Sequence, residues 1–188
     1  MDITNKKHFL TVKDFSVSQE IFELYYDEAL DMLITHPQPS LDVLGKYYES
    51  ADYISHTDSK RSLFEKAYHF VKNIALKNKL NLINSYQPSK GLILDIGAGT
   101  GDFLSVAQND GWKTVGVEPS DKAKAIAKNK GVSFVDNTSE LESHTFDVIS
   151  MWHVLEHVPN LDEQINELKR LLKPNGTLIV AVPNFNSF

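Results

Sequence analysis

The sequence predicts an α/β protein, a doubly wound parallel sheet preceded by a helical N-terminal extension. Three observations carry that expectation. From Gly91 onward, short apolar runs alternate with amphipathic stretches, the pattern of parallel βαβ units. Leu92-Ile93-Leu94-Asp95-Ile96 is nearly unbroken in its apolar character, as a strand buried on both faces must be. The glycine loop Gly97-Ala98-Gly99-Thr100-Gly101 follows at once, at the strand end where open α/β sheets bind their ligands.

The elements follow in order. Ser18 is placed to cap a helix running through Ile34, because Phe22, Tyr26, Ala29 and Leu33 recur at helical spacing. His36-Pro37-Gln38-Pro39 stops it, Ser40 opens a shorter segment, and residues 47–59 read as a polar and aromatic loop. A long amphipathic helix is expected from about Lys60 to Ser85, with Leu63, Phe64, Ala67, Tyr68, Val71, Ile74 and Ala75 as its apolar stripe. Turn residues 87–91 end this half, so the expected organisation is 1–88 as a helical extension or cap and 89–188 as the sheet. Strands are then expected at 92–96, 114–117, 132–135, 146–151 and 177–182. Helices are expected from Asp102, from Asp121 under a Ser120 cap, and from Asn160, where Glu163 completes a capping pair, to Leu172. Lys173-Pro174-Asn175-Gly176 is a stop and a turn.

Composition excludes several classes. The 188 residues contain no cysteine, which removes disulfides, cysteine zinc sites and thiol chemistry together. No apolar run is long enough to span a membrane, and the N-terminus lacks the apolar core of an export signal, so the cytoplasm is the default compartment. A formal net charge of −6 argues against a nucleic-acid partner. The one basic surface is the long helix with Lys60, Arg61, Lys66, Lys72, Lys77 and Lys79, most simply a solvated face.

The site candidates come from the strand ends. Glycines after the first strand of the sheet let the backbone approach a ligand closely. About twenty residues on, Glu118 ends the next strand, where an acid accepts hydrogen bonds from ribose hydroxyls. Together they indicate an adenosine-containing cofactor. A dinucleotide fits poorly, since the third glycine comes early at Gly101 and Asp102 would face a pyrophosphate at a helix N-terminus. Asp102 suits a positively charged ligand. A phosphate-binding loop is excluded because no Gly-Lys-Ser/Thr follows. Tyr68-x-x-x-Lys72 has the spacing of a short-chain dehydrogenase pair, but it precedes the glycine loop and fits an amphipathic helix.

Residues 93–101 resemble motif I of the class I S-adenosylmethionine-dependent methyltransferases. Val115-Gly116-Val117-Glu118-Pro119-Ser120 resembles their second motif, and Phe146-Asp147-Val148-Ile149 with Val154-Leu155-Glu156-His157-Val158 their fourth. Residues 171–178 resemble the segment before strand five, and the nearest group includes the ubiquinone-biosynthesis O-methyltransferases. The resemblance covers about half the chain and implies a Rossmann-like sheet that binds S-adenosylmethionine and releases S-adenosylhomocysteine. It implies that Asp95, Gly97, Ala98, Gly99, Thr100 and Gly101 hold the methionine end, with Asp102 and Phe103 beside them. It further implies that Glu118 binds the ribose, that Pro119, Ser120, Asp136 and Asn137 neighbour the adenine, and that Met151, Trp152 and His153 face the sulfonium and the acceptor.

His153 and His157 are the candidate general bases. Together with Glu156 they form a set that can bind a transition metal, but no metal is assigned. Tyr47, Tyr48, Tyr53 and His56 are candidates to cap the pocket by cation–π attraction. The expected activity is methyl transfer to a small-molecule acceptor at oxygen. The alternatives are a cofactor-binding fragment not competent alone, or an RNA or protein methyltransferase. The family's sheet normally has seven strands, so five imply a C-terminally truncated chain with an open strand edge, through which it can dimerise.

Overall fold

The computed structural model describes residues 3–15, 17–40, 43, 47 and 63–187. The chain forms two compact units, residues 1–62 with 184–188, and residues 63–183.

The first unit is built on an antiparallel sheet, not on a helix. Strands β1 (Lys7–Lys13), β2 (Ile21–Asp27) and β3 (Met32–His36) pair in sequence order. This corrects the helical N-terminal extension. Phe22, Tyr26, Ala29 and Leu33 do fit a helical period, but Ile21-Phe22-Glu23-Leu24-Tyr25-Tyr26 is aromatic and branched, which suits a pleated surface better. The hairpin is fixed locally by Asp27, whose Oδ1 accepts the N–H groups of Ala29 and Leu30 at 3.0 and 3.3 Å. Lys6 pairs with the same buried carboxylate at 2.6 Å. Ser18 caps no helix. It donates its N–H and its hydroxyl to Asp14 in the β1–β2 connection.

The second unit carries the predicted sheet. Helix α1 (Leu63–Tyr86) leads into β4 (Leu92–Ile96), α2 (Asp102–Asn109), β5 (Lys113–Val117), α3 (Asp121–Lys128) and β6 (Phe134–Val135). Then come β7 (Phe146–Trp152), α4 (Leu161–Leu171) and β8 (Leu172–Ala181). The five strands are parallel in the order β6-β5-β4-β7-β8. The chain therefore winds outward from β4 in one direction and then in the other, and the switch point lies between β4 and β7. The expected turn at 173–176 falls inside β8, where the register against β7 shifts between Phe146 and Val148.

Side chains alternate across the sheet. Ile93 and Val148 face a cluster with Leu80 and Ile83 of α1, Leu104 and Ala107 of α2, and Ala127 of α3. Leu94, Ile149 and Met151 face the other way, against Leu168 and Leu171 of α4. Because α1 belongs to this core, the units divide between Ser62 and Leu63, whereas the sequence placed the boundary near Pro88. The C-terminal end of α1 is also tied to the end of α2. Asn84 bonds Asp110 at 2.9 Å and accepts the Trp112 indole N–H at 3.0 Å. On β8, Leu178 and Val180 stay substantially exposed, as does Val182 just after it. Among the described residues no helix is long and apolar enough to cross a membrane.

Candidate cofactor site

The glycine loop leaves β4 at the switch point and is stitched to the end of β5. The N–H groups of Gly97 and Ala98 both donate to the Val117 carbonyl, at 2.8 and 3.1 Å. Gly97 has a positive φ of 71°, and a Cβ there would lie 2.4 Å from a Val154 methyl carbon. Only glycine fits. Gly99 also has a positive φ, yet nothing lies within 4 Å of its missing Cβ, so the loop offers open space there.

Glu118 completes the loop. It is buried at 5% exposure, with Oε2 accepting the Gly99 N–H at 2.8 Å and Oε1 accepting the Ser120 N–H at 2.9 Å. The Ser120 hydroxyl is spent as the α3 cap, accepting from Ala123.

A cavity of about 310 Å³ opens over this loop. Of the residues the sequence nominated, Asp95, Gly97, Ala98, Gly99, Thr100, Asp102, Phe103 and Trp152 line it. Gly101, Glu118, Pro119, Ser120, Asp136, Asn137, Met151, His153 and His157 lie outside that lining. Met151 is a correction in its side chain, which is fully buried in the α4-side core and faces no cavity. Asp136 is largely exposed and pairs with Lys124 at 2.8 Å. Asn137 accepts the Ser139 N–H at 3.0 Å. His153 is exposed, with Nδ1 3.6 Å from Glu156. Among the described residues no three His, Asp or Glu side chains are grouped to hold a metal ion. Tyr47 donates its hydroxyl to Glu20 within the first unit. Tyr48, Tyr53 and His56 lie outside the described residues, as do Lys60 and Arg61.

Sequence reasoning missed one wall. Tyr68, Lys72, Ala75, Leu76 and Lys79 of α1 also line the cavity. Lys72 is not a solvated charge, since it pairs with Asp102 at 2.8 Å, where Lys130 joins it at 3.0 Å. Burial pushes the Asp102 carboxyl up, but hydrogen bonds from Lys72, Thr100 and Lys130 outweigh it and hold the group at about 2. Asp95 goes the other way. Burial pushes it up to about 7, against the Ser150 hydroxyl at 2.6 Å and the charge of Lys79, while Glu118 adds to the rise. The cavity thus combines backbone donors, two carboxylates of opposite tendency and two ammonium groups, a lining that suits a zwitterionic guest.

The family of the methyltransferase domain matches residues 60–187. The chain is 33% identical over 131 residues to a ubiquinone biosynthesis O-methyltransferase of Actinobacillus pleuropneumoniae serotype 7 (strain AP76), covering 60% of this chain and 56% of that one. A protein of the same name from Rickettsia conorii (strain ATCC VR-613 / Malish 7) is 27% identical over 187 residues, 91% of this chain and 62% of its own. The chain therefore spans less than two thirds of either relative. A solved structure from Pyrococcus horikoshii OT3 shares the fold at a TM-score of 0.54 and 24% identity, over 66% of this chain and 57% of that one.

Proposed function

The chain belongs to the methyltransferase domain family, and from that premise we propose that it binds S-adenosylmethionine over the glycine loop and passes the methyl group to an oxygen of a small-molecule acceptor, releasing S-adenosylhomocysteine. The observation that carries the reading is the Glu118 carboxylate, bonded to Gly99 and Ser120 at the rim of a loop with open space at Gly99. A carboxylate offers about four acceptor directions, and the backbone takes one on each oxygen, so two remain for the vicinal hydroxyls of a ribose. The lining fits the cofactor's other end equally well. Asp95, when ionised, accepts from an ammonium, and the loop amides donate to a carboxylate.

When bound, the cofactor supplies an electrophilic methyl group on a positively charged sulfur. What the chain supplies is alignment of the acceptor with that carbon. His153 follows the cavity residue Trp152 and is exposed toward solvent, with Glu156 beside it. It takes the proton of a hydroxyl acceptor. His157 is the second candidate for that role. The relatives' names support oxygen as the methylated atom.

A cofactor-binding piece that does not turn over alone is the second reading, favoured by the chain's 56% coverage of the Actinobacillus relative. An RNA-directed activity is the less supported alternative, because Lys72 of the basic helix is already paired with Asp102. Self-association through the outer strand β8, whose Leu178 and Val180 are exposed, belongs to the same proposal. Calorimetry with S-adenosylhomocysteine tests the cofactor. Saturable binding is expected, and none at millimolar ligand would sink the reading. Labelled cofactor incubated with small-molecule, RNA and protein fractions then identifies the acceptor class.

A further inference from the structure

Two carboxylates line the cavity, and the fold provides fully for only one of them. Asp102 has both oxygens taken, Oδ2 by the Thr100 hydroxyl at 2.7 Å and Lys72 at 2.8 Å, Oδ1 by Lys130 at 3.0 Å. Asp95, the penultimate residue of β4, is 3% exposed and has one donor, the Ser150 hydroxyl of β7 at 2.6 Å on Oδ1. Its Oδ2 meets no donor among the described residues. Its neighbour across the sheet on β5 is Gly116, which has no side chain to offer. Among the described residues the polar side-chain atoms both unbonded and closed to solvent are nitrogens of Trp152 and Gln164, so Oδ2 stays open to the cavity that Asp95 lines. Two charges face it from other elements. Lys79 of α1 favours the ionised form through its charge alone, and Glu118 after β5 opposes it. An ionised carboxylate buried with a single hydroxyl donor is costly, and a proton removes the cost. Burial accordingly raises the Asp95 carboxyl to about 7, against Ser150 and Lys79.

We propose that Asp95 couples cofactor binding to proton release: below neutral pH it rests as the neutral acid in the free protein, and it gives up that proton as the ligand's ammonium arrives. The coupling rests on the cofactor reading of the cavity. The carboxyl O–H bond breaks, the proton leaves through the cavity to water, and an N–H of the ammonium donates to the carboxylate in its place. Asp102 cannot respond in the same way, because hydrogen bonds from Lys72, Thr100 and Lys130 overcome its burial and hold it at about 2. Only the ionised form of Asp95 holds the ammonium, so affinity is full above about pH 7 and declines as pH falls through that value. The same proton acts on the fold with the opposite sign. Acid weakens cofactor binding over the range in which protonated Asp95 makes the free protein more stable.

Calorimetry on the full chain, in buffers of different ionisation enthalpy, counts the protons. With S-adenosylhomocysteine, wild type is expected to release about one proton per ligand near pH 6 and almost none near pH 8. The dissociation constant should rise toward acid, approaching about tenfold per pH unit below about pH 6. The des-amino analogue, which keeps adenosine, thioether and carboxylate, should bind without that release. D95N should bind S-adenosylhomocysteine more weakly at neutral pH and with no slope between about pH 5 and 7. S150A removes the one donor and should move the inflection up by about one pH unit, whereas a residue that only packed the sheet would change affinity equally at every pH. If S150A fails to fold, the carbon-13 resonance of the Asp95 carboxyl in free wild-type protein gives the midpoint directly, and a value below about 5 overturns the coupling. So does binding of S-adenosylhomocysteine without proton release near pH 6, which would mean that Asp95 is already ionised beside Lys79. A slope that survives in D95N assigns the proton to another group, such as His153, and overturns it too. Failure of wild type to bind S-adenosylhomocysteine at any pH overturns the cofactor reading itself, and the coupling with it.

Discussion

At Glu118 one carboxylate serves the backbone and the proposed ribose together. Glu118→Gln keeps the shape but turns one acceptor oxygen into an N–H₂ group, which faces the N–H of either Gly99 or Ser120. The expected result is about tenfold weaker binding of S-adenosylhomocysteine and about 1–3 kcal/mol lower stability in urea. Unchanged affinity would remove the ribose role. Asp95 and Glu118 were legible because each lies within one residue of a strand end beside the loop. Lys72 and Lys79 were not, since a run of lysines on a helix reads as a solvated face. Their spacing did hold a signal. Tyr68, Lys72, Ala75, Leu76 and Lys79 each lie three or four positions from another of the set, which is one side of a helix, and that side lines the cavity.

Among the elements, α1 is the one whose place the sequence got wrong while getting its extent nearly right. Its pattern gave a helix ending at Ser85, and the helix ends at Tyr86. Its assignment to an N-terminal cap failed because proline and glycine at 88–91 look like a linker, although Leu80 and Ile83 are core residues of the sheet. Ile83 is fully buried. Ile83→Ala should therefore destabilise the sheet unit by about 2–5 kcal/mol in cooperative urea unfolding. A helix belonging to a separate domain would leave the sheet's midpoint where it was. The glycine loop gives a sharper case. Gly97→Ala combines a positive φ with a contact of 2.4 Å to Val154, so a loss of about 1–3 kcal/mol is expected together with weakened cofactor binding. Binding at wild-type affinity by that variant would show that the loop's path does not matter. The strands at 92–96 and 146–151 were readable because buried parallel strands are apolar throughout. Those at 21–36 were not, because four apolar residues happened to satisfy the helical period while the turn chemistry of Asp27 decided for a hairpin.

For the whole molecule the sheet half was legible and the first unit was not, for a physical reason. Parallel βαβ units repeat a local pattern, whereas a small antiparallel sheet depends on pairings between segments, which single-segment periodicity does not register. The same sheet unit contains two carboxylates that act on stability with opposite signs. The Asp102 carboxyl, held at about 2 through Lys72, Thr100 and Lys130, favours the folded state above the ordinary value of 3.8, and that support is lost as pH falls toward 2. Asp95 is raised to about 7 by burial and by Glu118, with Ser150 and Lys79 opposing. Between 3.8 and about 7 the folded state keeps a proton that the unfolded chain has released, so stability declines as pH rises through that window. Urea midpoints of wild type, Asp95→Asn and Asp102→Asn over the whole range separate the two effects. Asp95→Asn should flatten the decline on the approach to neutral pH, and Asp102→Asn should flatten the acid limb. An Asp95→Asn profile parallel to wild type between about pH 4 and 7 would mean that Asp95 stays ionised in the folded protein, with Lys79 compensating its burial more strongly than the geometry of the cavity implies.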